Sequence, residues 1–231
     1  MLTVRRSPER GHANHGWLDT YHTFSFADYH DPAHMGFRAL RVINEDRIKG
    51  GKGFPTHPHR DMEILTYILE GELAHRDSMN NGRVIKRGEV QGMSAGTGIT
   101  HSEFNASRDA PCHLLQIWML PHMKNVTPSY AEWKPDGSEK KGWALVASEG
   151  GKAGGVPIHQ DASVYVAVAE AGRSLGIPVA AGRYGWLQVA KGEAEIGGKR
   201  LEAGDGVSFF SGDAASVKMH NPGELLLFDL A

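Results

Sequence analysis

Ile64-Leu65-Thr66-Tyr67-Ile68-Leu69-Glu70-Gly71-Glu72 is the stretch on which the reading of this chain turns. Its β-branched, aromatic and aliphatic residues run without helical spacing and stop at Glu70-Gly71, as a strand does at a tight turn. Glu72 to Asp77 continues as a polar strand toward Asn80-Asn81-Gly82, a hairpin-turn signal. The same phrase returns as Gln188-Val189-Ala190-Lys191-Gly192-Glu193, and Lys86-Arg87-Gly88-Glu89 is answered by Glu202-Ala203-Gly204-Asp205. Gly71 to Gly88 spans 17 residues and Gly192 to Gly204 spans 12, a difference that a shorter hairpin tip explains. The pattern predicts a duplicated β unit.

Further strand-like runs are His113 to Leu120, stopped by Pro121, then Trp186 to Ala190, Ala194 to Ile196, Val207 to Phe210 and Glu224 to Leu230. Turn signals such as Gly197-Gly198 and Asn221-Pro222-Gly223 separate them. Helical windows are scarce, with one turn expected over Ser129 to Lys134. Pro121 to about Val156 reads as an irregular connection between domains. The expectation is an all-β chain of two β-barrels or sandwiches, an N-terminal domain over 1–130 and a C-terminal one over 131–231.

Composition excludes several classes. The 29 glycines in 231 residues are nearly twice the usual ~7%, which many β-turns explain. A single cysteine cannot make an intrachain disulfide or a thiolate zinc module. A formal charge of −2 gives no footprint for nucleic acid. No apolar run approaches the ~20 residues that span a bilayer, and Met1 to Arg10 has no secretory leader pattern. A cytoplasmic protein is expected. The 13 histidines ask for an explanation.

His57-Pro58-His59 and His101-Ser102-Glu103 supply one. Residues i and i+2 of a strand share a face. If the two strands are neighbours, His57, His59, His101 and Glu103 converge on one point. Three imidazoles and a carboxylate suit a divalent Fe, Co, Ni, Cu, Zn or Mn ion and leave positions open for substrate or dioxygen. The other histidines read as structural, with five of them in the first 34 residues at irregular spacing and His75 facing solvent on its polar strand. Trp118, Met93, Met62 and Phe54 are candidates to line an apolar pocket. Cys112 reads as a small buried hydrophobe.

Gly51-x5-His57-x-His59-x3-Glu63-x7-Gly71 resembles the first motif of the cupin superfamily, and Gly98-x2-His101-x3-Asn105 the end of the second. There are two departures: seven residues rather than six separate Glu63 from Gly71, and Gly96 stands where cupins usually place proline. A wider set of segments resembles the pirin family: Trp17 to Phe26, Met35 to Val42, His57 to Glu63 and Ser94 to Glu103. The likeness is strong from about Arg10 to Pro121 and weak beyond. Among pirins, the chain is most similar to bacterial members with quercetinase activity.

The resemblance implies a bicupin fold with one metal in the N-terminal barrel, held by His57, His59, His101 and Glu103. Glu63 occupies the fourth-ligand position of many cupins, but pirins use the glutamate two after the third histidine, which favours Glu103. Aligning the repeats places Pro178, Ala180, Val217 and Met219 opposite the four ligands, and His220 one residue out of phase. The second barrel is therefore expected to be a metal-free copy.

The activity implied is a dioxygenase that cleaves a flavonol such as quercetin with O2 and releases carbon monoxide, Glu103 being the general base. A small polyphenol and O2 are then the partners, without nucleic acid or membrane. The alternative is a regulatory binding protein that senses metal or redox state through the same ligands and docks a protein partner. A cupin-type isomerase or hydrolase would need a further acid or base that the sequence does not reveal.

Overall fold

The run Ile64 to Leu69 is apolar at nearly every position because its strand is buried on both faces. The computed structural model describes residues 1–231. In strand Glu63–Glu70, Leu65, Tyr67 and Leu69 face one way and Ile64, Thr66 and Ile68 the other. The first set packs against the other half of the chain, and the second fills the interior of its own half.

Each half is a sandwich of a seven-stranded and a four-stranded sheet. No strand pairing joins the two sheets of a half, so the sandwiches are open rather than closed barrels. The first large sheet runs, in spatial order, Ser129–Trp133, Val90–Ser94, Glu63–Glu70, Cys112–Met119, Leu40–Ile48, Leu18–His22 and Gly11–Asn14. Facing it are Gly53–His59, Ile99–Asn105, Glu72–Asp77 and Gly82–Lys86. The second half repeats the order: Thr3–Arg5, Gly206–Phe210, Tyr184–Lys191, Gly223–Leu230, Ala162–Ala169, Ala144–Glu149 and Val156–Ile158 face Ser174–Gly176, Ser216–Met219, Glu193–Ile196 and Lys199–Glu202.

The duplication extends to atomic detail. Gly71 has φ +72° and Gly192 φ +83°, and a Cβ on either would lie 2.7 Å from a carbonyl oxygen, of Pro111 or of Pro222. Only glycine fits either turn. The hairpin tip is shorter in the second half, where Gly197-Gly198 replaces Ser78 to Asn81 between the strands.

The largest apolar cluster, of 24 buried residues, lies between the two large sheets, whereas the clusters inside the sandwiches hold 14, 7 and 4. The halves therefore form one body. Polar ties cross the same interface. The Tyr67 hydroxyl donates to Glu224 Oε2 at 2.9 Å, Arg87 pairs with Glu224, and Lys191 donates to the Leu69 carbonyl at 3.0 Å.

Two expectations need correction. Ser129 to Lys134 is not a helical turn; Ser129–Trp133 is an edge strand paired with Val90–Ser94. The division expected at 130/131 falls inside it. The segment Pro121 to Val156 is also more regular than its composition suggests, since Ala144–Glu149 is a buried strand of the second large sheet. Its Gly, Pro and Lys residues sit in the connections on either side of that strand, which include the one-turn helix Ser138–Lys141 and the 3-10 turn Lys152–Gly154. At the chain start, Thr3–Arg5 crosses over to pair with Gly206–Phe210 in the second sandwich.

A buried ion cluster stiffens the outer side of the first sheet. Glu45 meets Arg10 at 2.9 Å, Arg47 at 2.9 Å and His113 at 3.0 Å. Burial pushes its carboxyl up, but the His113 hydrogen bond and the two arginines outweigh this and hold it at about 2. A carboxyl depressed on folding contributes stability that is complete above its unfolded value near 4.5 and is lost as pH falls toward 2. The contribution is on the order of 3 kcal/mol. Melting temperatures measured from pH 5 to pH 2 should fall less steeply for Glu45→Gln than for the unaltered protein.

Candidate metal centre

His57 and His59 lie on Gly53–His59, an edge strand of the small sheet of the first sandwich. An edge tolerates Pro55 and Pro58, which have no N–H to donate to a ladder. The neighbouring strand Ile99–Asn105 pairs antiparallel with it, placing His101 opposite His57 and Ile99 opposite His59. A register shift follows between His101 and Glu103. On its other side that strand pairs with Glu72–Asp77, so Glu103 faces His75 and His101 faces Asp77.

The three expected histidines meet. Ring centroids are 4.4 Å apart for His57 and His101, 4.8 Å for His57 and His59, and 4.9 Å for His59 and His101. Their ligand-capable nitrogens all lie within 4.8 Å of one another. The Nδ1 of His57 donates to the Pro55 carbonyl at 2.8 Å, which leaves its Nε2 with a lone pair. Burial, then the neighbouring His57, pushes His59 down to about 4. Burial, then His57, His59 and His75, pushes His101 down to about 2. His59 and His101 are thus neutral imidazoles, the form that binds metals.

His101 is 2% exposed, and neither of its ring nitrogens has a hydrogen-bond partner. A buried unpartnered polar group costs about 1–3 kcal/mol. A metal ion at the convergence of the three rings removes that penalty, so these residues fit a divalent transition metal.

Glu103 is buried in a second group, with His75 and His101, that shares His101 with the first. Its Oε2 accepts from Gln116 Nε2 at 2.9 Å. The Thr66 hydroxyl lies 2.9 Å from Gln116 Oε1 and 3.4 Å from Glu103 Oε1, and its single proton serves the nearer acceptor. Burial pushes the Glu103 carboxyl above the usual range, against the opposing pull of His75, Gln116 and Thr66. Glu63 lies elsewhere. Its strand parity turns it to the face away from the histidines, where Ser94 donates to it at 2.7 Å and His159 approaches to 3.4 Å.

His75 is buried, which corrects the expectation of a solvent-facing side chain. On strand Glu72–Asp77 the inward residues are Leu73, His75 and Asp77. Its Nε2 lies 3.2 Å from Asp77 Oδ2, and its Nδ1 has no partner.

A cavity of about 540 Å³ opens beside these ligands. Trp17, Leu18, Phe26, Phe54 and Trp118 form apolar walls, and His57, His59 and Glu103 reach its interior. Trp118 sets its edge against His59 at 4.9 Å and against Phe26 at 5.3 Å. Of the four residues expected to line a pocket, Phe54 and Trp118 do so. Met93 is buried in a small cluster with Ile64, Ala95 and Ile99, and Met62 packs against it. Thr20, His22, Asn44, Asp46 and Gln116 also line the cavity and were not anticipated. The sequence signal is weak: Thr20 with His22 and Asn44 with Asp46 are polar residues two apart, in strands that also carry Asp19, Arg41, Glu45 and Arg47, and Gln116 stands alone in the apolar run Leu114 to Met119.

The second sandwich holds no comparable group. Val217 and Met219 are fully buried in its apolar core, and His220 pairs with Glu195 at 3.2 Å. His12, His22 and His34 are hydrogen-bonded to Asp19, Asn44 and Asp31. Burial pushes the Cys112 thiol up to about 12, which makes it inert.

Comparison with known proteins agrees with this architecture. The family model "Pirin" matches residues 3–119, and the model "Quercetinase C-terminal cupin domain" matches residues 145–230. A quercetin 2,3-dioxygenase of Escherichia coli strain K12 is 47% identical over 230 residues, covering 100% of this chain and 99% of the relative. The crystal structure of the bacterial pirin YhhW from Escherichia coli in complex with nickel(II) superposes with a TM-score of 0.94 at 46% identity, over 100% of this chain and 99% of the other. A quercetin 2,3-dioxygenase from Acinetobacter baumannii shares the fold, with a TM-score of 0.78 at 20% identity over 98% of this chain and 84% of the other.

Proposed function

The chain belongs to the pirin family of the cupin superfamily, and from that premise we propose that it is a metal-dependent quercetin 2,3-dioxygenase. The observation that carries the reading is the cluster of three imidazoles, with His57 and His59 lining an aromatic-walled cavity, His101 buried behind them with both ring nitrogens unpartnered, and the buried Glu103 carboxyl beside them. In this reading His57, His59, His101 and Glu103 hold one divalent transition metal. When bound, the metal supplies Lewis acidity that makes the flavonol 3-hydroxyl easier to deprotonate.

The protein's own groups do the remaining work. Trp17, Phe26, Phe54 and Trp118 offer apolar surface to a flat polycyclic substrate, and the cavity volume falls in the range of small-molecule sites. Glu103 takes the 3-hydroxyl proton on a carboxylate oxygen, while the Gln116 amide keeps the carboxylate oriented. The resulting electron-rich anion reacts with dioxygen. Both oxygen atoms enter the product, and carbon 3 leaves as carbon monoxide. Trp118 and Phe26 shield the reacting face from water.

No helix is long and apolar enough to cross a membrane. We assign the protein to the cytoplasm, a compartment that suits a single, buried, reduced cysteine.

The deciding experiment loads metal-stripped protein separately with Fe, Co, Ni, Cu, Zn and Mn. Oxygen uptake with quercetin and headspace carbon monoxide are then measured for each form. At least one form should consume oxygen and release carbon monoxide one for one, and the chelated protein should do neither. Oxygen uptake absent from every metal form would reject the enzyme and leave the metal-sensing alternative.

A further inference from the structure

The inner face of the first large sheet carries a row of polar residues in direct register. His22 pairs with Asn44, Asn44 with Gln116, Gln116 with Thr66, and Thr66 with Gln91. Such a row in a sandwich interior needs a purpose, because each member forgoes an apolar contact. Gln116 has one, because it bonds Glu103, and Thr66 has one, because it bonds Gln116. At the other end the His22 Nδ1 and Asn44 Oδ1 are 2.8 Å apart.

Asp46, one inward step beyond Asn44, has no such resolution. It lines the cavity, is 4% exposed, and leaves its Oδ1 without a partner. Its cross-strand partner Thr20 offers it a hydroxyl. Burial, with Glu103 and Glu45 nearby, pushes its carboxyl up to about 7. Leucine would fill this position without the desolvation penalty, so the carboxyl points to a ligand polar at this place. From Gln116, Asp46 is displaced by one strand spacing and one two-residue repeat, a diagonal of roughly 8 Å. A second hydroxyl carried on a separate ring of a polycyclic substrate can reach that far from the hydroxyl at Glu103.

We propose that Asp46, with Thr20 and the His22–Asn44 pair, forms a second hydroxyl-binding subsite of the cavity, which selects polyhydroxylated flavonols over flavonols bearing the 3-hydroxyl alone. The proposal rests on the flavonol reading of the cavity. A buried group built to bond a hydroxyl discriminates strongly against an analogue lacking it, since the unpaired group then remains.

Tryptophan fluorescence tests the subsite, because Trp17 and Trp118 line the cavity. Quercetin and 3-hydroxyflavone are titrated into the metal-loaded protein, its Asp46→Leu and Thr20→Val variants, and Asp46→Asn as the conservative replacement. The unaltered protein should bind quercetin at least about tenfold more tightly than 3-hydroxyflavone. Asp46→Leu should bring that ratio close to one by weakening quercetin, and Asp46→Asn should restore most of it. Thr20→Val should lower the ratio several-fold and serves if Asp46→Leu does not fold. A ratio unchanged in Asp46→Leu, or in Thr20→Val where that variant is read, overturns the subsite while quercetin turnover still supports the flavonol reading. An unaltered protein that neither binds nor turns over either compound overturns both.

Discussion

Glu103→Ala is expected to lower oxygen uptake with quercetin by about 10²- to 10⁴-fold, the range that a positioned general base supplies. The carboxylate sits where two jobs meet. It closes the cavity beside the histidines and is fixed by the Gln116 amide at 2.9 Å. Alanine removes both the proton acceptor and a proposed ligand, so metal content must be measured alongside the rate. Glu103→Gln separates the two roles. It keeps the shape and a carbonyl oxygen near the metal position but cannot take a proton. A glutamine variant that retains metal and loses turnover assigns the base. Turnover unchanged in the alanine variant would reject the role of Glu103 altogether.

His101→Ala should have the larger effect on metal binding. His101 belongs to both ligand groups, its ring is buried, and its nitrogens have no protein partner. Asp77, directly opposite His101, is occupied with His75 and with the turn at Met79 and Asn81, so it supplies no replacement ligand. Changes in groups that only support a ligand cost roughly 10- to 100-fold in metal affinity, and losing the shared ligand should exceed that. Calorimetric titration with nickel should show no tight binding, and turnover should fall to background. The metal-free variant should melt no earlier than the metal-free parent, because alanine also removes a buried polar ring that lacked a partner. Retained tight binding would transfer the centre to other residues.

Sequence and structure agree where chemistry follows from spacing within one strand. His57 with His59, and His101 with Glu103, are i, i+2 pairs, and strand alternation places each pair on one face whatever the rest of the fold does. The repeat was legible for a similar reason. Gly71 and Gly192 sit at turns where a carbonyl passes too close for any side chain, so both copies retain glycine. His75 was misread because a polar strand ordinarily turns its polar face to water. Here part of the interior is polar, and His75 and Asp77 point inward beside His101 and Glu103 on the same face as the apolar Leu73. Asn44, Gln116 and Thr66 come from strands far apart in the chain, and their adjacency depends on cross-strand register that local sequence does not reveal. The edge strand Ser129–Trp133 is short and only partly buried, so it carries little hydrophobic pattern to recognise.

The crossing of Thr3–Arg5 into the second sandwich has a consequence for how the protein is made. Val4 pairs with Val207, about two hundred residues later. A ribosome adding roughly 5–20 residues per second needs some 10–40 s to supply that partner. Through this interval Thr3–Arg5 waits without its neighbour while the strands of the first sandwich, Gly11 to Trp133, are already available to assemble. The ladder of Thr3–Arg5 therefore closes only after the strands of both sandwiches up to Gly206–Phe210 have been made, which ties the start of the first half to the completion of the second.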